Sequence, residues 1–194
     1  PDDAVLSEEA TNVEHADLSR LAADRVWIID PVDGTREYGE ARSDWAVHVA
    51  LVENHMPTAG AVALPGLPLV LSTDDPPALA PAVDPPRVVV SRSRPPAVAQ
   101  QIADALAAEL IAMGSAGAKA MAVVRGEAEI YPHSGGQYEW DSCAPVAVAA
   151  AAGLHVSRID GSPLAYNQAD VYLPDLLICR PELAPAAIAA VTDS

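Results

Sequence analysis

WIIDPVDGT, residues 27–35, is an apolar run that ends in Asp30 and passes through Pro31 into Asp33-Gly34-Thr35. Arg25 to Ile29 predicts a buried strand, with two carboxylates three residues apart at its end and a turn opening toward a helix. Hard divalent cations take oxygen ligands of this kind, and phosphate takes the backbone N–H groups of such a turn. Asp-Pro and Asp-Gly are also ordinary turn dipeptides. The stretch alone leaves a tight turn and a ligand site both open, and the surrounding chain has to decide.

On its C-terminal side, Asp44 to Val52 (DWAVHVALV) is apolar on both faces and predicts a central strand. His48 within it reads as a satisfied core histidine more readily than as a ligand. Ala59 to Leu64 and Leu67 to Thr73 predict two further strands, and the short turns between them imply an antiparallel meander. On the N-terminal side, Ser7 followed by Glu8 and Glu9 reads as a helix cap, and residues 12–24 as a polar loop with a helical turn.

Asp74 to Pro86 (DDPPALAPAVDPP) is too rich in proline for helix or sheet. It predicts a linker between an N-terminal half, 1–73, and a C-terminal half, 87–194. In the second half, Arg87 to Ser91 and Leu110 to Met113 read as strands. Pro95 to Ala108 carries Val98, Ile102 and Leu106 at helical spacing. Ala116 to Val124 reads as a helix, Ala128 to Tyr131 as a strand and His133 to Gln137 as a glycine-rich loop. A helix from about Ser142 to Ala152 stops at Gly153. Leu154 to Ile159 and Leu176 to Cys179 follow as strands, then a last helix from Pro181 in which Pro185 forces a kink or a later start. The alternation predicts one α/β layered domain with a mixed or largely antiparallel sheet.

Composition bounds the function. A chain of 194 residues, 51% of them hydrophobic, can bury a real core. A net charge of −16 argues against wrapping a nucleic-acid polymer, which needs a basic stripe. It does not exclude a small anionic substrate, because bound cations reverse the local field. No apolar run reaches the roughly 20 residues of a membrane span and no secretory signal opens the chain, so a cytoplasmic protein is expected. Cys143 and Cys179 lack metal or redox spacing and read as buried thiols. Basic residues are arginines except for one lysine, Lys119.

Three acidic sites stand out: Glu8-Glu9, Asp30 with Asp33, and Asp141 after Trp140. Asp141 reads equally as the N-cap of the helix that follows. It can cap and ligate only if its two oxygens divide the work.

The order Glu8-Glu9, then WIIDPVDGT, then Trp140-Asp141 before an alanine-rich helix ending in Gly153 resembles the inositol monophosphatase-like superfamily of magnesium-dependent, lithium-sensitive phosphatases. The likeness runs from about Leu6 to Arg180. Within it, the chain looks most like the CysQ group, the 3′(2′),5′-bisphosphate nucleotidases. Leu6-Ser7-Glu8-Glu9, the Ser91-Arg92-Ser93-Arg94 turn, Gly114-Ser115 followed by Lys119, Tyr131-Pro132 and Ala151-Ala152-Gly153 carry that narrower resemblance.

The resemblance implies the layered α+β sandwich of that superfamily and two or three Mg²⁺ ions. Glu8, Asp30 and the Val32 carbonyl would hold one ion; Asp30, Asp33 and Asp141 would hold a second. Paired ions clamp the attacking and leaving oxygens of an in-line phosphoryl displacement. The implied nucleophile is a metal-activated water oriented by Glu8 and the Thr35 hydroxyl. Gly34 and Thr35 would offer backbone N–H groups to the phosphate. On the substrate side the resemblance places Gly114, Ser115 and Lys119 with Asp33, Gly34, Thr35 and Asp141. Arg94 and His133 are further contacts, although both, and Lys119, read equally as surface residues. The implied partner is a small phosphorylated molecule, and a homodimer is possible. The superfamily's helical pair that precedes the acidic pair has no match here, because the chain begins a few residues before Glu8; one sheet face is expected to be bare and apolar.

The expected reaction is Mg²⁺-dependent removal of the 3′-phosphate from 3′-phosphoadenosine 5′-phosphate, leaving AMP, as in sulfate assimilation. Inositol-1-phosphate or fructose-1,6-bisphosphate hydrolysis is the alternative within enzymes. A metal-binding or regulatory remnant without catalysis is the alternative of another class.

Overall fold

In a computed structural model, the chain is described at residues 3–10 and 17–192. It builds two five-stranded mixed sheets with helices between and beside them.

The first sheet runs β1 (Ala4–Ser7), β2 (Arg25–Asp33), β3 (Ala46–Glu53), β4 (Met56–Leu64) and β5 (Leu69–Ser72) in sequence order. From β2 to β5 neighbours are antiparallel, which is the meander expected from the short turns. The β3–β4 turn carries Asn54 and His55 at φ 51° and 64°, the left-handed pair whose twist suits a two-residue hairpin. β1 lies parallel to β2 at the edge, with Leu6 opposite Ile28. Ser7 therefore closes a strand rather than capping a helix: Leu6 is buried and Val5 exposed, the alternation of a half-buried strand.

The second sheet has the order β7-β6-β8-β10-β9, from β6 (Arg87–Ser91), β7 (Glu109–Met113), β8 (Ile130–Tyr138), β9 (His155–Ser157) and β10 (Tyr172–Cys179). β6 is parallel to β7 and β8; β10 is antiparallel to β8 and β9. Residues 73–86 contain neither helix nor strand.

The helices are α1 (Thr35–Gly39), α2 (Ala97–Leu106), α3 (Ala116–Val124), α4 (Glu139–Ala151) and α5 (Ala184–Thr192). α3 and α4 are nearly all apolar and nearly all buried, as helices hydrophobic on every side must be. They form the middle layer, sharing one core with Val26, Ile28, Ala50, Val62 and Leu64 of the first sheet and Tyr131, Leu176 and Ile178 of the second. α2 and α5 cover the far side of the second sheet over Val88, Val90, Ile130 and Leu177. The outer face of the first sheet carries Val5 (59% exposed), Val49 (37%) and Val70 (63%).

Several boundaries differ from the sequence reading; β4 starts at Met56 rather than Ala59 and β10 at Tyr172 rather than Leu176, and two further differences bear on the site. His133 to Gln137 is not a loop but the second half of β8, paired to β10 across a register shift. Gly135 and Gly136 (φ 79° and 71°) bend that strand without ending it, because β10 supplies the ladder on one side. α4 starts at Glu139, three residues before Ser142, because Asp141 caps it from inside. The last helix starts at Ala184 after a 3₁₀ turn at Pro181–Leu183, the later start that Pro185 implied, which puts Pro185 in the first turn, where no N–H is needed. No helix among the described residues is long and apolar enough to cross a membrane.

Candidate active site

Asp30 and Asp33 are an odd number of residues apart, so a regular strand would send them to opposite faces. The pairing of β2 with β3 is irregular between these two residues, and this bulge turns both inward, leaving them 1% and 5% exposed. Asp141 reaches the same point from the first turn of α4. Ligand-capable atoms of Asp30, Asp33 and Asp141 all lie within 4.8 Å of one another.

Each carboxylate is partly satisfied by backbone. Asp33 sits at the start of α3, where Oδ2 accepts the Gly117 N–H at 2.5 Å and Oδ1 the Ala116 N–H at 3.3 Å. Asp30 Oδ1 accepts the Val32 N–H at 3.0 Å, while Oδ2 is buried with no hydrogen-bond partner. Asp141 is not the N-cap; it is the third helical residue, and its Oδ2 accepts the Tyr138 N–H at 2.6 Å. One oxygen thus serves the helix and the other is left for the cluster.

Crowding three carboxylates in a dry place is costly, and the protonation states show it. Burial, followed by the Asp33 charge, pushes Asp30 up to about 8. Burial and then Asp33 push Asp141 to about 7. Asp33 stays below the usual carboxylate range: burial opposes its charge, but His48, the Gly117 N–H and Lys119 together outweigh it. Burial likewise disfavours the His48 cation, yet the neighbouring Asp33 and Asp30 charges raise it to about 9. An orphaned buried carboxylate oxygen and an all-oxygen donor set fit a hard divalent cation, which would relieve the repulsion.

The cluster floors a cavity of about 850 Å³. Glu8 reaches it from the end of β1, its N–H tied to the Ile29 carbonyl at 3.2 Å, and Val32, Gly34 and Thr35 line it beside Asp30 and Asp33. Gly34 is left-handed (φ 91°), and a Cβ there would stand 2.7 Å from Ser115 Cβ. Gly114, Ser115, Lys119, His133 and Arg94 form other parts of the wall. Every residue named for the site from sequence therefore borders one cavity.

Lys119 is not a solvated helix residue. It is 4% exposed, and Nζ donates to the Gly114 and Ser115 carbonyls at 2.5 and 2.7 Å, 5.3 Å from the Tyr131 ring centroid. Burial pulls it down to about 8 against four surrounding carboxylates. His133 is pushed to about 4 by burial and then by Lys119, so it is neutral at pH 7; its Nε2 is 2.9 Å from the Gly135 carbonyl. Arg94 is exposed at the rim. Tyr166 and Asn167 are structural: Tyr166 pairs with Ser142 at 3.1 Å, and Asn167 takes the Arg20 guanidinium at 2.5 Å. Sequence reading missed the wall residues Glu37 and Gln137 and the place of His48 beside the cluster. For His48 the signal lies in the strand register, which pairs it directly with Asp30 and is not written in the local sequence.

A two-sheet layered fold with three convergent carboxylates at the floor of a cavity of this size fits the class of metal-dependent hydrolases. The profile of the inositol monophosphatase family matches residues 1–75 and 84–194, and the chain belongs to that family. It is 54% identical over its whole length to the 3′-phosphoadenosine 5′-phosphate phosphatase of Mycobacterium tuberculosis, spanning 75% of that protein. It is 32% identical over 89% of its length to the 3′(2′),5′-bisphosphate nucleotidase CysQ of Escherichia coli, spanning 74% of it. The crystal structure of CysQ from Bacteroides thetaiotaomicron, described as a bacterial member of the inositol monophosphatase family, superimposes with a TM-score of 0.78 at 29% identity. It covers 93% of this chain and 78% of that one.

Proposed function

We propose that this chain is a phosphatase that removes the 3′-phosphate of 3′-phosphoadenosine 5′-phosphate, giving AMP and phosphate. The observation that carries the reading is the convergence of Asp30, Asp33 and Asp141 opposite the buried ammonium of Lys119 in one cavity. The 54% identity to a phosphatase named for that substrate directs the choice of substrate.

Glu8, Asp30 and the Val32 carbonyl would hold one Mg²⁺, and Asp30, Asp33 and Asp141 another. Mg²⁺ supplies Lewis acidity when bound, lowering the pKa of water and offsetting charge on phosphoryl oxygens. The rest falls to the chain. Glu8 and the Thr35 hydroxyl orient the attacking water and hold its proton. Gly34 and Thr35 turn backbone N–H groups toward the phosphate. An ammonium has three donors; Lys119 spends two on the Gly114 and Ser115 carbonyls, which leaves the third for a substrate oxygen. His133, neutral at pH 7, contributes a hydrogen bond rather than a charge. Arg94, exposed at the rim, would meet the 5′-phosphate.

The test is phosphate release from 3′-phosphoadenosine 5′-phosphate, inositol-1-phosphate and fructose-1,6-bisphosphate by the full-length protein with Mg²⁺. The first substrate is expected to have the highest kcat/KM, with inhibition by lithium. A higher kcat/KM on inositol-1-phosphate overturns the substrate assignment; no turnover of any of the three overturns the enzyme.

A further inference from the structure

His48 is wholly buried, and its packing does not account for its contacts. Nδ1 lies 3.0 Å from the carbonyl of Trp140, the residue before Asp141. Nε2 lies 3.3 Å from Asp33 Oδ2 without a hydrogen bond of good geometry. Because a carbonyl only accepts, Nδ1 is the protonated nitrogen toward Trp140 whatever the charge on the ring. One imidazole therefore spans the backbone that carries Asp141, in α4, and the side chain of Asp33, at the end of β2.

Gly117 makes room for this. A Cβ at that position would stand 2.1 Å from His48 Nε2 and 3.0 Å from Asp33 Oδ2. Glycine is a poorer helix former than alanine, and here it leaves the space that the ring tip occupies. Its own N–H then donates to Asp33 Oδ2.

We propose that His48 is a positioning residue for the cation site: with Gly117 it fixes the Asp33 carboxylate relative to Asp141 and so sets the spacing of ligands drawn from the two halves of the chain. His48 itself touches neither substrate nor cation. The inference rests on reading Asp30, Asp33 and Asp141 as cation ligands. Groups that orient metal ligands from behind are worth roughly 10- to 100-fold in metal affinity.

The experiment is Mg²⁺ binding by isothermal titration calorimetry on the full-length protein and its His48→Leu, His48→Asn and Gly117→Ala variants. The Tm of each metal-free protein, and kcat and KM at saturating Mg²⁺, are measured beside it. His48→Leu is expected to weaken Mg²⁺ by roughly 10- to 100-fold with KM for substrate unchanged. His48→Asn, whose amide can still donate to the Trp140 carbonyl, recovers part of the loss. Gly117→Ala reproduces the loss with His48 present, since the methyl displaces the ring. Wild-type Mg²⁺ affinity in folded His48→Asn and Gly117→Ala overturns the proposal. Should His48→Leu or Gly117→Ala fail to fold, His48→Asn decides by its affinity alone. Failure of the wild-type protein to bind Mg²⁺ instead overturns the cation-site reading, and this inference with it.

Discussion

The Gly117 amide donates to Asp33 Oδ2 at 2.5 Å, joining the carboxylate that ends β2 to the first turn of α3. Asp33 belongs to the chain before residues 73–86 and Gly117 to the chain after them. The candidate site is thus a seam between the two segments, and one bond gives Asp33 both its orientation and part of its charge stabilisation. The helix N-terminus adds a favourable field of the same sign.

Asp33→Asn is the most direct probe of that seam. The amide keeps the volume but gives up the negative charge and one acceptor, so the α3 N–H groups and a cation lose the same partner. Turnover should fall by about 10³-fold or more, the scale of the several kcal/mol that cation-mediated charge stabilisation supplies. Circular dichroism should remain that of a folded protein. Phosphate release close to the wild-type rate would exclude Asp33 from the chemistry.

The crowded carboxylates predict an unusual pH dependence in the metal-free protein. Asp30 is raised to about 8 and Asp141 to about 7, from ordinary values of 3.8. Groups raised in this way bind more protons folded than unfolded, so the stability they contribute is lost as pH rises through the folded values. His48, raised from 6.5 to about 9, acts in the same direction. Asp33 acts oppositely, but only below about pH 4, where its depressed carboxyl differs from an ordinary one. Lys119, lowered from 10.5 to about 8, opposes only above pH 8, and His133, lowered from 6.5 to about 4, opposes between about pH 4 and 6.5, where the two raised carboxyls outweigh its single proton. In EDTA the Tm should therefore fall between pH 5 and 8, and saturating Mg²⁺ should remove most of that slope by replacing the protons. A Tm that rises across this window without metal would contradict the electrostatics of the cluster.

Much of this was legible in the residues. The turn dipeptides and the apolar run before Asp30 place the cluster at a strand end. The spacing of Val98, Ile102 and Leu106 finds α2. The bulge that brings Asp30 and Asp33 to one face was not legible, because two-residue periodicity argues against it until the partner strand is known. Lys119 was ambiguous for a related reason: local sequence describes a helix but not whether its polar side is buried. His48 reads as core because burial is its commonest fate, and only the register with Asp30 and the notch at Gly117 show what it faces. The β8 segment with Gly135 and Gly136 reads as a loop because glycines weaken strands, a preference that pairing with β10 overrides.

Lys119 should act mainly on substrate binding. Its Nζ is fixed by the Gly114 and Ser115 carbonyls, so it meets the substrate already oriented. A hydrogen bond to a charged group contributes about 1.5–3 kcal/mol, or roughly 10- to 100-fold in kcat/KM. Lys119→Met should show that loss chiefly as a higher KM, with Mg²⁺ affinity little changed. An unchanged KM would remove Lys119 from the substrate wall.

Gly34 is where the turn of the opening motif, the phosphate-facing backbone and the second half of the chain meet. Its φ of 91° is a conformation that side-chain-bearing residues adopt at a cost of about 1–2 kcal/mol. A methyl added there would also stand 2.7 Å from Ser115 Cβ, and Ser115 cannot retreat freely, since its Oγ caps α3 through the Ala118 N–H at 3.1 Å. Gly34→Ala should therefore lower stability by at least the conformational cost, about 1–2 kcal/mol in urea denaturation. It should also push the Ser115 side of the cavity away from Thr35, reducing kcat/KM beyond what partial unfolding explains. A variant as stable as wild type would mean that the turn relaxes to a right-handed form, and the close packing of Gly34 on Ser115 would then not be required for the site.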